Sequence, residues 1–225
     1  MRLAVFAKRP LGEPATPDQW NERQLPRPTA RHAVARIESA DDFAARWPVI
    51  ASRLGIESRA ALDVTADGAR WIWDRVETYW PHARGTLDIY HALEHVAAAA
   101  KGLYGEGTEA AQRWNDATRD ALLAEGHAGA TRMIAAGRAD VARGAQRQAL
   151  DSFETYFDHQ HNHLDYAGRL AEGRPIGSGL VEGACKNYVG RRLKQTGARW
   201  RPENANRLAD LAGLLYSDDW NHYWN

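Results

Sequence analysis

Two acidic residues are the first candidates for chemistry in this chain. Asp67 lies at the C-terminal end of the predicted strand AALDVTADGA, at the position where open α/β sheets place their ligands. Asp-Gly is also a frequent turn pair, so a role for Asp67 as a turn or cap residue is equally well supported. Glu182 lies in the segment from Arg169 to Arg201, where eight Lys and Arg oppose two acids and give a net charge of +6. An isolated carboxylate in so basic a segment is a candidate site residue.

The sequence around Glu182 predicts a helix that begins near Ser178. At 100° per residue, Glu182 falls at the margin of the apolar face, so its side chain is expected to face inward. Cys185 falls on that face and is expected to be a packed small residue, not a nucleophile. The alternative for Glu182 is a surface ion pair with Lys186, worth about 0.3 kcal/mol. The apolar face is formed by Val181, Cys185, Val189 and Leu193, flanked by Ala184 and Tyr188.

A second set of possible ligands lies in the sequence LDIYHALEH. His91 and His95 stand one helical turn apart on the same face, and two histidines at this spacing bind zinc in metalloenzymes. A zinc site needs at least one further ligand, and packed, hydrogen-bonded histidines are more common than ligands. A zinc-dependent hydrolase that uses His91 and His95 is the alternative hypothesis for this chain.

The distribution of charge indicates a nucleic-acid partner. The chain has 29 basic and 29 acidic residues and no formal net charge, so acids elsewhere offset the basic segment. Such asymmetry is typical of nucleic-acid binding, although a solvated helical face is the commoner cause of one cluster. Trp200, between Arg199 and Arg201, is suited to contact a base or the backbone. The single cysteine excludes an internal disulfide and no stretch is long and apolar enough to span a membrane, so we expect a reduced, cytoplasmic protein.

The elements that must position these residues alternate between strands and helices in the first half of the chain. The sequence predicts strands in MRLAVFAKR, RHAVARIES, AALDVTADGA and GTLDIYH, the third by its alternation and β-branched residues. Helical patterns predict SADDFAARWPVIASRLG, ARWIWDRVETYWP and HALEHVAAAAKGLYG between and after them. From Thr108 to about Ala167 the pattern is helix after helix, with no strand candidate. The order predicts an α/β domain that carries a helical insertion.

Several of these motifs together resemble a known family. The string IGSGLVEGACKNYVGRRLKQTGARW, preceded in order by ADGARWIWD and LDIYHALEH, is similar to bacterial insertion-sequence transposases of the ISKra type. These are DDE enzymes related to the mutator-like group. The likeness extends over nearly the whole chain and includes VFAKRPLGEPATPDQW.

The resemblance implies an α/β fold with an RNase H-like mixed sheet, interrupted by an all-helical insertion. Residues 1–91 would form the first part of the catalytic core, 92–170 the insertion, and 171–225 the C-terminal helices of the core. Three carboxylates would hold two Mg²⁺ or Mn²⁺ ions that activate the attacking oxygen and stabilise the leaving one.

In this family resemblance, Asp67 corresponds to the second acid and Glu182 to the last, and both would be metal ligands. Asp88 and His91 take auxiliary roles, and an exchange of roles between Asp67 and Asp88 stays open. The partners implied are transposon-end and target DNA, bound by a homodimer of the full-length protein that associates with the nucleoid and has no membrane contact. The DNA would be held by Arg174, Lys186, Arg191, Arg192, Lys194, Arg199 and Trp200.

The chain departs from the family pattern at its beginning. Relatives have a central strand that bears the first catalytic Asp upstream of the strand RLAVFAKR, and here nothing precedes Met1. We therefore expect MRLAVFAKR and AALDVTADG to present unpaired backbone edges and the chain to be a fragment with impaired strand transfer. A non-catalytic DNA-binding remnant is the third hypothesis.

Overall fold

A computed structural model describes residues 1–56, 62–141, 144–194, 197–217 and 223–224 as a mixed, mostly helical α/β protein. The described strands are β1 Arg2–Lys8, β2 Ala30–Arg36, β3 Asp63–Ala66 and β4 Arg84–Leu87. The helices of the first half are α1 Ala40–Ala44, α2 Trp47–Arg53, α3 Arg70–Tyr79, α4 Ile89–Tyr104 and α5 Glu109–Glu125. They are followed by α6 His127–Asp140, α7 Ala145–His159, α8 Tyr166–Ala171, α9 Gly179–Ala184, a π-helical turn Cys185–Gly190, α10 Arg191–Leu193 and α11 Pro202–Tyr216.

The first sheet is an antiparallel pair of β1 and β2. Its register runs from Arg2 opposite Arg36 to Lys8 opposite Ala30. The outer edge of β2 is closed by side chains of the C-terminal helices, because the backbone N–H groups of Ala33, Ala35 and Ile37 donate to them. The acceptors are Ser217 Oγ at 3.0 Å, the Tyr188 hydroxyl at 3.0 Å and Asn206 Oδ1 at 2.8 Å. This edge is therefore not open to another strand.

The second sheet is a parallel pair of β3 and β4 connected by α3. Asp63 lies opposite Arg84 and Ala66 opposite Leu87. The two sheets remain separate, so the described residues form no RNase H-like sheet, and the predicted fold class is supported only as mixed α/β. The strands β1 and β3 do not pair with each other.

The helical part forms the largest core. Helices α4, α5, α6 and α7 pack against their neighbours around Leu122, Leu150 and Phe157, which are completely buried. Between Thr108 and Ala167 the described residues contain no strand, which confirms the predicted helical stretch. No helix in the described part of the chain is both long and apolar enough to cross a membrane.

Two predicted elements have different bounds in the structure. The single helix predicted from Ser39 to Gly55 is divided into α1 and α2, because Pro48 has no N–H to continue the helical hydrogen bonds and occupies the first turn of α2. The strand predicted for GTLDIYH ends at Leu87, because Asp88 caps α4 by accepting the backbone N–H of Tyr90.

Candidate functional site

Asp67 lies in the turn that follows β3. Its side chain is exposed, and Oδ1 accepts the backbone N–H of Ala69 at 3.0 Å. Gly68 has a φ of +85°, and a Cβ there would lie 2.9 Å from Leu87 Cδ1 and 3.1 Å from the Tyr156 hydroxyl. The turn thus needs glycine both for its left-handed backbone and for space. It holds the Asp67 carboxylate at the carboxyl end of β3, where the sequence predicted a site residue.

Gln160, at the end of α7, holds this turn from the other side. Gln160 Nε2 donates to the Gly68 carbonyl at 2.9 Å, and Trp73 Nε1 donates to Gln160 Oε1 at 3.0 Å. The hydroxyl of Tyr156 is buried without a hydrogen-bond partner among the described groups. Burial and the nearby charge of Asp67 raise the pKa of Tyr156 to about 12, so the hydroxyl stays protonated.

The ring of Tyr156 stacks on His95, with a centroid separation of 3.4 Å. Burial lowers the pKa of His95, which favours its neutral form. Sequence reasoning identified neither Tyr156 nor Gln160 as neighbours of Asp67. No local pattern could have revealed them, because about ninety residues separate them from the turn they support.

Asp88 has a structural role that differs from that of Asp67. Its side chain is buried, and Oδ1 accepts the Tyr90 N–H at 2.7 Å. Oδ2 accepts the Ser178 N–H at 2.8 Å and also the Ser178 hydroxyl. The carboxylate therefore caps α4 and anchors the chain just before α9. Both carboxylate oxygens of Asp88 already accept hydrogen bonds. Asp67 is therefore the better candidate for a carboxylate that contacts a ligand.

Glu182 is exposed, and the prediction that it faces inward is wrong. Its side chain retains 57% of its accessible surface, and Oε1 lies 2.7 Å from Lys186 Nζ. The surface ion pair considered as the alternative is the arrangement observed. The buried face of the helix instead contains Ala184, Tyr188 and Leu193. Glu182 precedes Ala184 by two residues, which places its side chain about 200° around the helix from that face.

Cys185 is exposed as well, so its predicted packing on the apolar face is also wrong. The spacing of buried residues changes from four to five between Tyr188 and Leu193 because residues 185–190 form a π-helical turn. In this turn the backbone N–H of Arg191 donates to the carbonyl of Lys186, five residues back. An extrapolation at 100° per residue cannot anticipate such a turn.

The side chains that could ligate a metal do not form the predicted metal sites among the described residues. No group of three or more His, Cys, Asp or Glu side chains in the described ranges could hold a metal ion. His91 lines the same cleft as Asp67, but its Nδ1 lies 3.1 Å from Glu94 Oε2, while His95 is stacked on Tyr156. These residues therefore fit neither a two-metal Mg²⁺ or Mn²⁺ centre nor a zinc site built on His91 and His95, and no chemical step is assigned to a metal here.

The predicted DNA-binding residues lie together, with one exception. Trp200 Nε1 donates to the Leu193 carbonyl at 3.0 Å, which folds the segment after residue 197 against α10. We call the resulting exposed set the basic surface. It consists of Lys186, Arg191, Arg192, Lys194, Arg199, Trp200 and Arg201.

Arg174 is the exception, because its guanidinium is enclosed by protein. Its side chain is 15% exposed and pairs with Asp63 and Glu172. Asp63 also pairs with the buried Arg169, which fastens the start of β3 to α8. Hydrogen bonds from Arg84 and Arg174 lower the pKa of Glu172 to about 2. Arg174 is therefore not part of the basic surface.

Asp67, His91 and Ser178 lie beside Val181 and Cys185 along a cleft of about 700 Å³ between the two sheets. Helix α9 thus approaches the carboxyl end of β3 even though Glu182 itself points to solvent. Comparison of the chain with known protein families, with curated proteins and with solved structures finds no match.

Proposed function

We propose that this chain binds DNA through the basic surface, as part of a transposase that resembles the ISKra type. The observation that carries the proposal is the exposure of six Lys and Arg residues together with Trp200, which retains 45% of its accessible surface. Closely spaced cations of this kind neutralise phosphates and release condensed counterions. An exposed indole beside them can stack on an unpaired base.

The arrangement around β3 is compatible with a reaction on the bound DNA. Asp67 stands at the carboxyl end of a parallel strand, where α/β sheets bind ligands, and α9 packs close to it. The present residues supply two exposed acids, Asp67 and Glu182, which are too few to hold a pair of metal ions. DNA binding is accordingly the activity proposed for this chain, and strand cleavage and joining are proposed only for a protein that contains the further acid.

Binding to a fluorescent duplex of random sequence, measured by anisotropy over a series of salt concentrations, tests this proposal. We expect weak sequence preference and a steep linear fall of log K with log salt concentration. Replacing Arg192 and Lys194 together with alanine should reduce the slope by about 2, or about one per phosphate contact. The matched control is a double replacement of Arg113 and Arg147, which are exposed on the helical insertion.

Equal losses of affinity in the two double variants would refute the assignment of the basic surface. Trp200→Ala gives a second readout. Its effect should be larger on single-stranded than on double-stranded DNA, because only unpaired bases can stack on the ring. In a longer version of the protein that joins transposon ends, Asp67→Asn and Glu182→Gln should abolish joining and leave DNA binding intact.

A further inference from the structure

One helical segment carries most of the cations of the basic surface. It consists of α9, the π-helical turn and α10, and the backbone keeps right-handed helical dihedrals at both junctions, Cys185 and Gly190. Four cations of the basic surface are exposed on this segment or directly after it, namely Lys186, Arg191, Arg192 and Lys194. The directions of these side chains around the segment decide which of them can contact the same phosphate backbone.

The π-helical turn changes these directions. Ala184 and Leu193 are both buried, with 0% and 8% of their surface accessible. In an uninterrupted α-helix a separation of nine residues would place them about 180° apart, on opposite sides of the segment. The extra residue of the π-helical turn takes up about 100° of this rotation, so the two side chains lie about 80° apart on one side. The burial of both residues therefore fixes the directions of the side chains beyond the turn.

The same change of direction brings three cations into one line. The backbone N–H of Arg191 donates to the Lys186 carbonyl five residues back, so Arg191 lies one turn beyond Lys186. With the extra residue counted, Arg191 and Lys194 lie about 40° and 20° to either side of the direction of Lys186. Without the π-helical turn they would lie about 140° and 80° away from it. We call Lys186, Arg191 and Lys194 the cation row.

Arg192 is exposed but lies outside the cation row. It is rotated by about 100° from Arg191, which places it about 140° from the direction of Lys186. Because a helix with its side chains is about 10 to 12 Å wide, the tip of Arg192 is roughly 10 Å from the tips of the row. The minor groove of B-DNA is about 6 Å wide between its two backbones. Cations at this separation can therefore contact the two strands that border a groove, one strand each.

The cation row is long enough to follow one DNA strand. From Lys186 to Lys194 it extends about 12 Å along the helix axis. Successive phosphates of one strand are about 3.4 Å apart along the duplex axis, so a row of this length runs beside about three of them. Glu182 pairs with Lys186 at the start of the row, but an exposed pair of this kind is weak and does not keep Lys186 from a phosphate. Trp200 lies at the other end, where its Nε1 donates to the Leu193 carbonyl.

We propose that the cation row follows the backbone of one DNA strand and that Arg192 contacts the other strand of a duplex. This inference rests on the proposed binding of DNA by the basic surface and adds which strand each cation contacts. A single strand of DNA contacts the cation row and Trp200 but not Arg192. The π-helical turn is the feature that aligns the row and separates Arg192 from it.

The salt dependence of binding to two DNA probes tests this assignment of strands. The probes are a fluorescent oligo-dT strand and a fluorescent blunt duplex of the same length, each measured by anisotropy with the full chain. One double variant, Lys186→Ala with Lys194→Ala, removes two cations of the row. Its matched partner, Arg192→Ala with Lys194→Ala, removes one cation of the row and one outside it. All three positions are exposed, so both variants should keep the melting temperature of the wild type.

The two double variants should behave alike on the duplex and differently on the single strand. On the duplex each should reduce the slope of log K against log salt concentration by about 1.8, at about 0.9 per phosphate contact. On oligo-dT the row variant should reduce the slope by about 1.4 and its partner by only about 0.7. Equal reductions on oligo-dT, or unequal reductions on the duplex, would overturn the assignment of strands. If the basic surface did not bind DNA at all, neither variant would differ from the control at Arg113 and Arg147 on either probe, so the two proposals fail in distinguishable ways.

Discussion

Replacing Asp88 with alanine tests the different roles of the two aspartates that follow β3 and β4. The change removes the cap of α4 and both hydrogen bonds from Ser178, and it leaves the N–H groups of Tyr90 and Ser178 without their acceptor. Asp67→Ala is the matched control, because its exposed carboxylate accepts a single bond, from Ala69. The two variants should differ in stability while both keep the fold.

The expected loss for Asp88→Ala follows from its contacts. A lost N-cap costs about 1 kcal/mol. Hydrogen bonds to a charged group contribute about 1.5 to 3 kcal/mol each. Allowing for water that enters the site and for incomplete additivity, we expect a loss of about 3 to 5 kcal/mol in the free energy of unfolding. For Asp67→Ala the expected loss is at most about 1 kcal/mol.

Urea denaturation followed by tryptophan fluorescence measures both losses, because the chain contains nine tryptophans. With a slope of about 2 to 3 kcal/mol per molar, Asp88→Ala should lower the midpoint by about 1 to 2.5 M urea. Equal shifts for Asp88→Ala and Asp67→Ala would refute the structural role of Asp88. A double-mutant cycle with Ser178→Ala should give a coupling energy of about 1 to 3 kcal/mol, and additive losses would contradict the contact.

Three further predictions concern buried polar contacts and pH. Tyr188→Phe leaves the buried N–H of Ala35 without its acceptor and should cost about 1 to 3 kcal/mol by denaturation, and a neutral result would contradict that hydrogen bond. Arg169→Met leaves Asp63 short of one partner and should cost about 3 to 5 kcal/mol, which thermal melting can measure against Arg113→Met as an exposed control. The folded-state pKa of Glu172, about 2, lies below its ordinary 4.5, so its contribution is present above pH 4.5 and is lost as the pH falls toward 2. The melting temperatures of the wild type and Glu172→Gln should accordingly converge over that range, and a constant difference would contradict the pairing.

Local sequence patterns predicted the elements whose hydrogen bonds are themselves local. Short segments with few helix signals identified β1 and β2. The strand, helix and strand around Asp67 were placed correctly within a few residues. Helical periodicity predicted the stretch from Thr108 to Ala167. The position of Lys186, Arg191 and Lys194 off the buried face was also predicted, and all three are exposed.

Tertiary structure decided which way the candidate side chains point and what they touch. Arg174 is enclosed because Asp63, more than one hundred residues earlier, supplies a partner. Asp88 is committed because Ser178 reaches it from ninety residues away. Glu182 faces solvent because Ala184, two residues later, lies on the buried face of the helix. These outcomes depend on long-range packing and on a π-helical turn. Neither can be predicted from the regular spacing of residues along the chain.

The relation between the two sheets illustrates the same division. Each strand can be recognised from its own residues, but those residues do not show how β1 and β3 are placed relative to each other. Only the tertiary structure showed that these strands face each other across a single cleft in opposite directions. That arrangement is fixed by contacts such as Arg2 with Trp71 and Phe6 with Trp80, which join residues about seventy positions apart. Contacts at such separation depend on the packing of whole elements, which the local residue pattern does not specify.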